Sequence, residues 1–563
     1  MLYKELVDVY EKLEKISSKL AETEILADLF KKADDETLPK LVLLSQGKVF
    51  LPFEGKELGV AAKLMIRALA KASGASSQTI EKYFKDMGDL GKVAEYIMSK
   101  RKQIVFLKKK LTVVYVYNRL REIGSYEGSG SQEKKLLAIS GLLMHAEPKE
   151  AKYLVRTILG ELRIGVAEGI IRDSLALAFL KKHPKEEATK WVEYAWNILG
   201  DFGEVALIAK NKGIDGLKAV RPIISRPIQP MLGIKANSID EVLKRHKVVI
   251  CEFKYDGLRL QVHKKGDNVW LFTRRLENVT KQFPDVVEVV KENLKADECI
   301  VEGEAWPIDL KTGKPMPFQK ISQRIQRKYG IEKMAKEIPV QLNLFDIMYL
   351  NGETLFDKPL RERRKILESI VNPVEHKLQL AERIETSDIK VLEEFYHKAL
   401  ELNQEGIMLK NPEAPYIFGR KVGGWYKIKP TMETLDLVIV GAEWGEGARS
   451  KWLSSFLLAV RDPDTGKFLT CGMSGTGLTE EQFEKMTEAL KELIIEEKGK
   501  TVYVKPKIVV EVSYQEIQKS PKYESGYALR FPRIERIRID KSPEEADTIE
   551  RLIELYKSQG KAG

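Results

Sequence analysis

A change in hydrophobic period divides this sequence and constrains the fold more than any other feature. Up to about residue 220, apolar residues recur at the 3.6-residue spacing of amphipathic helices. Leu6, Val9, Tyr10, Leu13 and Ile16 trace the first such face, and similar stripes run through residues 61–70, 135–144, 151–162 and 170–180. Glycine-bearing breaks separate them at GDLG (88–91), at 124–130 and at GDFG (200–203). The two GDxG breaks hint at related helical halves, and chance accounts for two tetrapeptides equally well. RPIISRPIQP (221–230) is too rich in proline for a helix interior and reads as a linker. Beyond it the period falls to two, with strands mixed among helices, until about Pro430. From Thr434 to Ile539 short strands dominate (LDLVIVGAEW, SFLLAVRD, KIVVEVSY), which predicts a barrel or sandwich of about 100 residues. Residues 544–557 predict a last amphipathic helix.

Composition narrows the chemistry. At roughly 150 residues per domain, 563 residues make three or four domains. Hydrophobic residues at 43% and charged residues at 31% are enough to bury real cores. No uncharged apolar run approaches the roughly 18 residues of a membrane span. The N-terminal MLYKELVDVYEKLEKI has no apolar stretch of the kind a signal peptide needs, so a cytoplasmic location is expected. Cys251, Cys299 and Cys471 are too few and too scattered for a four-cysteine zinc site or a disulfide framework. The six histidines show no paired metal spacing, so any metal is expected on oxygen ligands, as Mg²⁺. Lys plus Arg exceed Asp plus Glu by 94 to 83, a net charge of +11. That balance fits a solvated Lys/Glu-rich surface, as in thermophile proteins, and equally a polyanionic partner.

The middle segment carries the chemistry. CEFKYDGLRLQVHK (251–264) reads as strand, turn, strand, with Glu252 and Lys254 on one face and Tyr255-Asp256-Gly257 turning the chain. Arg259, Gln261 and His263 then share a face. Taken alone, Glu252 and Lys254 read as a surface ion pair. VWLFTRR (269–275) ends in two arginines, and IVEGEAW (300–306) sets Glu302 and Glu304 on one face. Two such carboxylates repel unless a cation or a sugar hydroxyl sits between them. LNLFDIMY (342–349), EGIMLK (405–410) and WYKIKP (425–430) follow, and Lys427 and Lys429 face the same way, which favours a bound polyanion. A nucleophilic lysine, arginines, carboxylates and more lysines suit attack on a phosphate. A free lysine is only roughly 0.04% neutral at pH 7, so it needs burial and nearby cations to become a nucleophile. No GxxxxGK[ST] loop occurs, which speaks against a Walker-type ATPase.

The order KYDGLR (254–259), TRRLEN (273–278), VEGE (301–304), LNLFDIMY, EGIMLK, WYKIKP and RFPRIERIRIDK (530–541) resembles the motif series of the covalent nucleotidyltransferases. More closely, the whole chain resembles the archaeal ATP-dependent DNA ligases, themselves similar to the eukaryotic replicative ligase. A lone KxDG is weak; seven motifs in order are specific. The resemblance implies a multidomain protein. An all-α DNA-binding domain would span 1–222. An α+β adenylation domain (nucleotidyltransferase, ATP-grasp-like) would span 223–431, and a β-barrel OB-fold domain with a C-terminal helix 432–563.

The resemblance also implies roles. Lys254 would form a phosphoramidate with AMP, Glu252 would accept from the adenine amino group, and Phe345 would stack on adenine. Arg259 and Glu304 would contact the ribose, Arg274 a phosphate, and Lys427 and Lys429 the α-phosphate. Arg420 or Lys421 would fill the place of an arginine that the family puts before WYKIKP. Glu304 and Glu405 would be metal ligands. The cofactors would be ATP and Mg²⁺, with Mn²⁺ a substitute. Arg530, Arg533, Arg536, Arg538 and Lys541 read as one dense basic strand. In the family this segment orients the pyrophosphate or meets DNA, and the role falls to Arg530, Arg533 and Lys541. Leu162 to Val166, with Arg172 and Asp173, resemble the DNA-contacting region. Gln103, Phe106 and Leu107 resemble a clamp-binding peptide, with one aromatic where the fuller motif has two. The partners implied are nicked duplex DNA and a sliding clamp, bound by a monomer away from membranes, in replication, recombination and repair. The competing readings are an RNA ligase or capping-type guanylyltransferase, an NAD-dependent ligase, and a DNA-binding scaffold with an inert core. A helical domain of about 220 residues before the lysine speaks against the first. Three cysteines speak against the second, and the complete lysine set against the third.

Overall fold

The computed structural model describes residues 1–558 apart from 102–108, 317, 326–328, 403, 420–422, 430–433 and 446–450. The chain divides into two compact units, Met1–Lys429 and Pro430–Gly563.

Helices fill the first part of the larger unit, from Tyr3–Leu13 to Phe202–Lys218. The first helix buries Tyr3, Leu6, Val7, Tyr10 and Leu13, a three-four-three spacing that keeps one stripe inward. Val9 falls on its flank and Ile16 beyond its end, so both are only half-buried. The stripe expected over 151–162 ends sooner, in Pro148–Ile158. There Gly160 takes φ 72° and the Glu161 amide closes onto the Arg156 carbonyl at 2.7 Å, a left-handed stop.

The two GDxG breaks are one device used twice. Gly88 and Gly200 end their helices in the left-handed conformation, at φ 66° each. Asp89 and Asp201 then cap the next helix, each accepting from two backbone amides of its first turn. Residues 221–230 form neither helix nor strand. The linker is nonetheless pinned: Arg226 pairs with Glu204 at 2.6 Å, and the Gln229 amide donates to the Asn197 carbonyl at 2.7 Å.

The rest of this unit is built on two sheets. One runs Ile234–Lys235, Trp425–Ile428, Gly406–Lys410, Val249–Lys254, Arg383–Thr386. The other runs Asn268–Thr273, Leu258–Lys265, Glu298–Pro307, Val340–Leu350, Glu353–Thr354, with Leu378–Leu380 parallel to Val340–Leu350. The strand, turn, strand of 251–264 is therefore not a hairpin. Its two strands belong to different sheets, and Tyr255-Asp256-Gly257 carries the chain between them. A Cβ on Gly257 would lie 2.5 Å from the Ala305 carbonyl oxygen, so the crossing admits no larger residue.

In the second unit, Leu435–Trp444 is the long central strand. Register shifts between Ile439 and Gly441 and between Glu443 and Trp444 bend it. One edge thereby pairs with Thr501–Val504 along one half and with Val509–Ser513 along the other. The core holds Leu435, Leu437, Ile439, Phe456, Leu458 and Val510. Three expectations are corrected here. The seven-stranded sheet, with a separate Glu516–Lys519/Tyr527–Arg530 pair, is not closed among the described residues, so "barrel" holds only loosely. A helix, Glu480–Lys491, interrupts the run of strands, with Thr479 as its cap. The last helix begins at Ile549, because Pro543–Glu545 forms a separate 3-10 turn.

Candidate active site

Lys254 ends the fourth strand of the five-stranded sheet, opposite Gly406. Its carbonyl accepts from the Glu405 amide at 2.9 Å, which fixes Glu405 beside it. Lys254 Nζ lies 2.5 Å from Glu405 Oε2, and Lys429 Nζ pairs with the same oxygen. Burial raises the Glu405 carboxyl, but the two lysines outweigh it and hold it at about 2. One row along the sheet, Lys427 and Glu252 flank Met408. The sheet thus presents Glu252, Lys254, Lys427 and Lys429 in adjoining rows, as their alternation predicts.

The six-stranded sheet supplies further groups. Arg259 lies opposite Glu304 in the register. Its guanidinium donates to Glu302 at 2.5 Å and to the Met231 carbonyl at 2.7 Å. Burial pushes Glu304 up to about 7, against the pull of Lys254 and Arg259 and with help from Glu405 and Asp256. Such a carboxyl is short of positive charge. With Glu405 nearby, it fits the one or two carboxylates through which Mg²⁺ is held beside phosphates. No group of three His, Cys, Asp or Glu side chains is close enough to hold a metal among the described residues.

A residue that sequence reasoning passed over sits between these walls. Lys410, 2% exposed, donates to Glu252 at 2.5 Å. Its Nζ lies 4.6 Å from the Phe345 ring centre and 4.1 Å from that of Trp425. The two rings meet edge to face at 6.0 Å. The signal was present in EGIMLK, where a lysine ends a buried strand opposite Ile250 and Trp425. Tyr416 and Glu302, which meet at 2.8 Å, were likewise not singled out as site residues.

Other expected residues stand apart. Arg274 is exposed, one residue past the edge strand Asn268–Thr273. Arg420, Lys421, Gln103, Phe106 and Leu107 lie outside the described residues. The dense basic strand is corrected to two strands, Tyr527–Arg530 and Arg533–Ile537, in different sheets. Phe531, at φ 50°, and Pro532 separate them. Their charge is also largely matched: Arg530 pairs with Glu516, Arg536 with Glu511, and Arg538 and Lys541 with Asp436. In the helical part, residues 162–166 and Ser45 to Gly47 line a cavity of about 240 Å³. Arg163 pairs with Glu161 at 2.6 Å, and Arg172 with Asp173 at 2.7 Å.

Comparison with known proteins returns one family along the chain. Residues 230–429 match the model of the ATP dependent DNA ligase domain, 2–176 that of the DNA ligase N terminus, and 449–541 that of the ATP dependent DNA ligase C terminal region. A DNA ligase of Nanoarchaeum equitans is 52% identical over 567 residues, covering 99% of each chain. Those of Thermococcus onnurineus and Archaeoglobus fulgidus are 48% and 47% identical, each across 99% of this chain and 98% and 99% of theirs. The solved structure Pmar-Lig_PreS3 matches at a TM-score of 0.57 with 18% identity, over 95% of this chain and 99% of that one. It shares the fold: a helical N-terminal part, a central domain and a strand-rich C-terminal domain.

Proposed function

The chain belongs to the archaeal ATP-dependent DNA ligases, enzymes that seal nicks in DNA, and from that premise we propose how its residues carry the reaction. Lys254 is the nucleophile. Its Nζ attacks the α-phosphorus of ATP, and the new N–P bond replaces the bond to pyrophosphate. AMP then passes to the 5′-phosphate at a nick, and the 3′-hydroxyl displaces AMP and seals the strand. The observation that carries this reading is the Lys254–Glu405–Lys429 group, with Glu304 electrostatically coupled to it.

Lys427 and Lys429 hold α-phosphate oxygens as charge shifts onto them. Phe345 supports the adenine, Glu252 accepts from its amino group, and Arg259 and Glu304 contact the ribose. Arg274 contacts a phosphate, and Arg420 or Lys421 adds another cation. Mg²⁺, with Mn²⁺ as substitute, supplies Lewis-acid neutralisation of phosphate charge when bound by Glu304 and Glu405. Arg530, Arg533 and Lys541 act on pyrophosphate or on DNA. The loop at 162–166 grips DNA phosphates, reading backbone rather than bases. We assign the three domains to 1–222, 223–431 and 432–563, in a protein that works as a cytoplasmic monomer, with Gln103, Phe106 and Leu107 offered to a sliding clamp.

Self-adenylylation tests the core of this. With α-labelled ATP and Mg²⁺, protein first stripped of AMP by pyrophosphate is expected to take an acid-labile, base-stable label on wild type and none on Lys254→Ala. Equal labelling of both would move the nucleophile elsewhere; no label on stripped wild type would remove the ligase chemistry.

A further inference from the structure

We propose that Tyr416 is a positioning residue that sets the Arg259 guanidinium for the nucleotide by joining the Met231 backbone, just past the linker, to the Glu302 carboxylate. The inference rests on the reading of Arg259 as a nucleotide contact. Tyr416 is 3% exposed and makes two hydrogen bonds of opposite sense. Its hydroxyl donates to Glu302 Oε2 at 2.8 Å and accepts from the Met231 amide at 2.9 Å. The same Glu302 oxygen receives Arg259 Nη2 at 2.5 Å, and the Met231 carbonyl receives Arg259 Nη1 at 2.7 Å. Met231, the residue after the linker, thus offers its amide to the tyrosine and its carbonyl to the arginine. The four groups close a ring: Arg259, Glu302, Tyr416, Met231. Only a side chain that both donates and accepts can hold the tyrosine's place in it.

The ring is braced from every side. Pro230 and Leu232 bond to Gly419, which lays the linker along the segment that carries Tyr416. The Tyr416 amide donates to the Phe356 carbonyl at 2.7 Å, and its ring meets Trp425 edge to face at 6.3 Å. Gln261 donates to the other Glu302 oxygen at 3.4 Å and exchanges two hydrogen bonds with Ile228 of the linker. Arg259 Nε, by contrast, is buried without a partner among the described residues, so the contacts that set the guanidinium all run through its terminal nitrogens. An arginine fixed at both terminal nitrogens cannot reorient when a ligand arrives. Its geometry is set beforehand by Glu302 and Met231, and both of these depend on the tyrosine hydroxyl.

Tyr416→Phe removes that hydroxyl and keeps the ring. It leaves the Met231 amide unsatisfied and gives Glu302 one donor fewer, a loss of a charge-assisted bond corresponding to about 10-fold to 100-fold in an equilibrium. We expect the ATP KM for self-adenylylation to rise by about that factor while kcat changes little, in protein of unchanged circular dichroism. The decisive measurement is a double-mutant cycle with Arg259→Gln: once the guanidinium is gone, Tyr416→Phe is expected to raise the KM no further. An unchanged KM in Tyr416→Phe overturns the proposal. So does an equal rise in both backgrounds, which would make the tyrosine a packing residue only. Wild type run alongside separates this from the parent reading, because absence of label there condemns the ligase chemistry and not Tyr416.

Discussion

Lys410 and Glu252 stand 2.5 Å apart and almost wholly buried, and the two cannot be treated as separate contributions. Burial depresses the lysine pKa, and Glu252 opposes that fall. Removing one member strands the other charge, which costs about 3–5 kcal/mol, whereas removing both costs much less. Lys410→Met should therefore lower the urea-unfolding free energy by about 3 kcal/mol, and Lys410→Met with Glu252→Gln by clearly less. Additive losses would mean that water reaches the pair. His263 offers a second test. Its imidazole is buried, with Nε2 2.9 Å from Gln261 Oε1 and Nδ1 without a partner among the described residues. Burial holds its pKa at about 3. Below about 6.5 the unfolded chain takes up a proton that the folded chain refuses, so stability falls as pH drops from 6.5 toward 3. Between pH 6.5 and 5 this one group should cost about 2 kcal/mol, and His263→Leu should remove that part of the slope. A variant with the wild-type slope would place the proton elsewhere. Neither result was legible in sequence. EGIMLK places Lys410 at the end of a buried strand, but the partner that decides its energetics lies 158 positions away.

Local rules of spacing and capping serve better at the scale of elements. Amphipathic period marked five of the helices before residue 220, and alternation put Glu252 with Lys254 and Lys427 with Lys429, each pair on one face. What they missed was set by partners distant in sequence. The two strands around Tyr255-Asp256-Gly257 look like a hairpin, because nothing local says that each finds a different sheet. The basic segment 530–541 looks like one strand, because the left-handed turn at Phe531 falls on a residue that seldom adopts it. The paired GDxG breaks make the same point with a measurable consequence. Asp201 caps its helix through the amides of Gly203 and Glu204. Asp89 does the same for Gly91 and Lys92 and also holds Arg156, itself 2% exposed, at 2.6 Å. Asp201→Ala should cost about 1 kcal/mol, the ordinary loss of a cap. Asp89→Ala should cost about 3 kcal/mol or more, since it also leaves a buried guanidinium short of its partner. Calorimetry on the two variants reads the difference directly; equal losses would mean that Glu14, which Arg156 also reaches at 3.1 Å, satisfies it alone.

Net charge belongs to the whole molecule, and +11 says less than it promises. Within the second unit, most of the cations of 530–541 are already matched by carboxylates, so their number does not translate into a field. Arg533 differs: its side chain is 58% exposed, and the acidic side chain it pairs with, Glu535, is 3.7 Å away. Arg536 is as exposed but is paired with Glu511. If DNA is gripped by its phosphates, affinity for a nicked duplex should fall by about 10³-fold between roughly 50 and 200 mM salt, as released counterions require for six or more contacts. Each cation that meets a phosphate adds about one to the slope of log affinity against log salt. Arg533→Ala should then lower that slope by about one, while Arg536→Ala leaves it nearly unchanged because its charge is spent on Glu511. Anisotropy titrations on a nick lacking its 3′-hydroxyl measure both without turnover. A slope untouched by Arg533→Ala would take the arginine off the DNA and leave pyrophosphate as its counterion, which the ATP dependence of self-adenylylation in the same variant would then register.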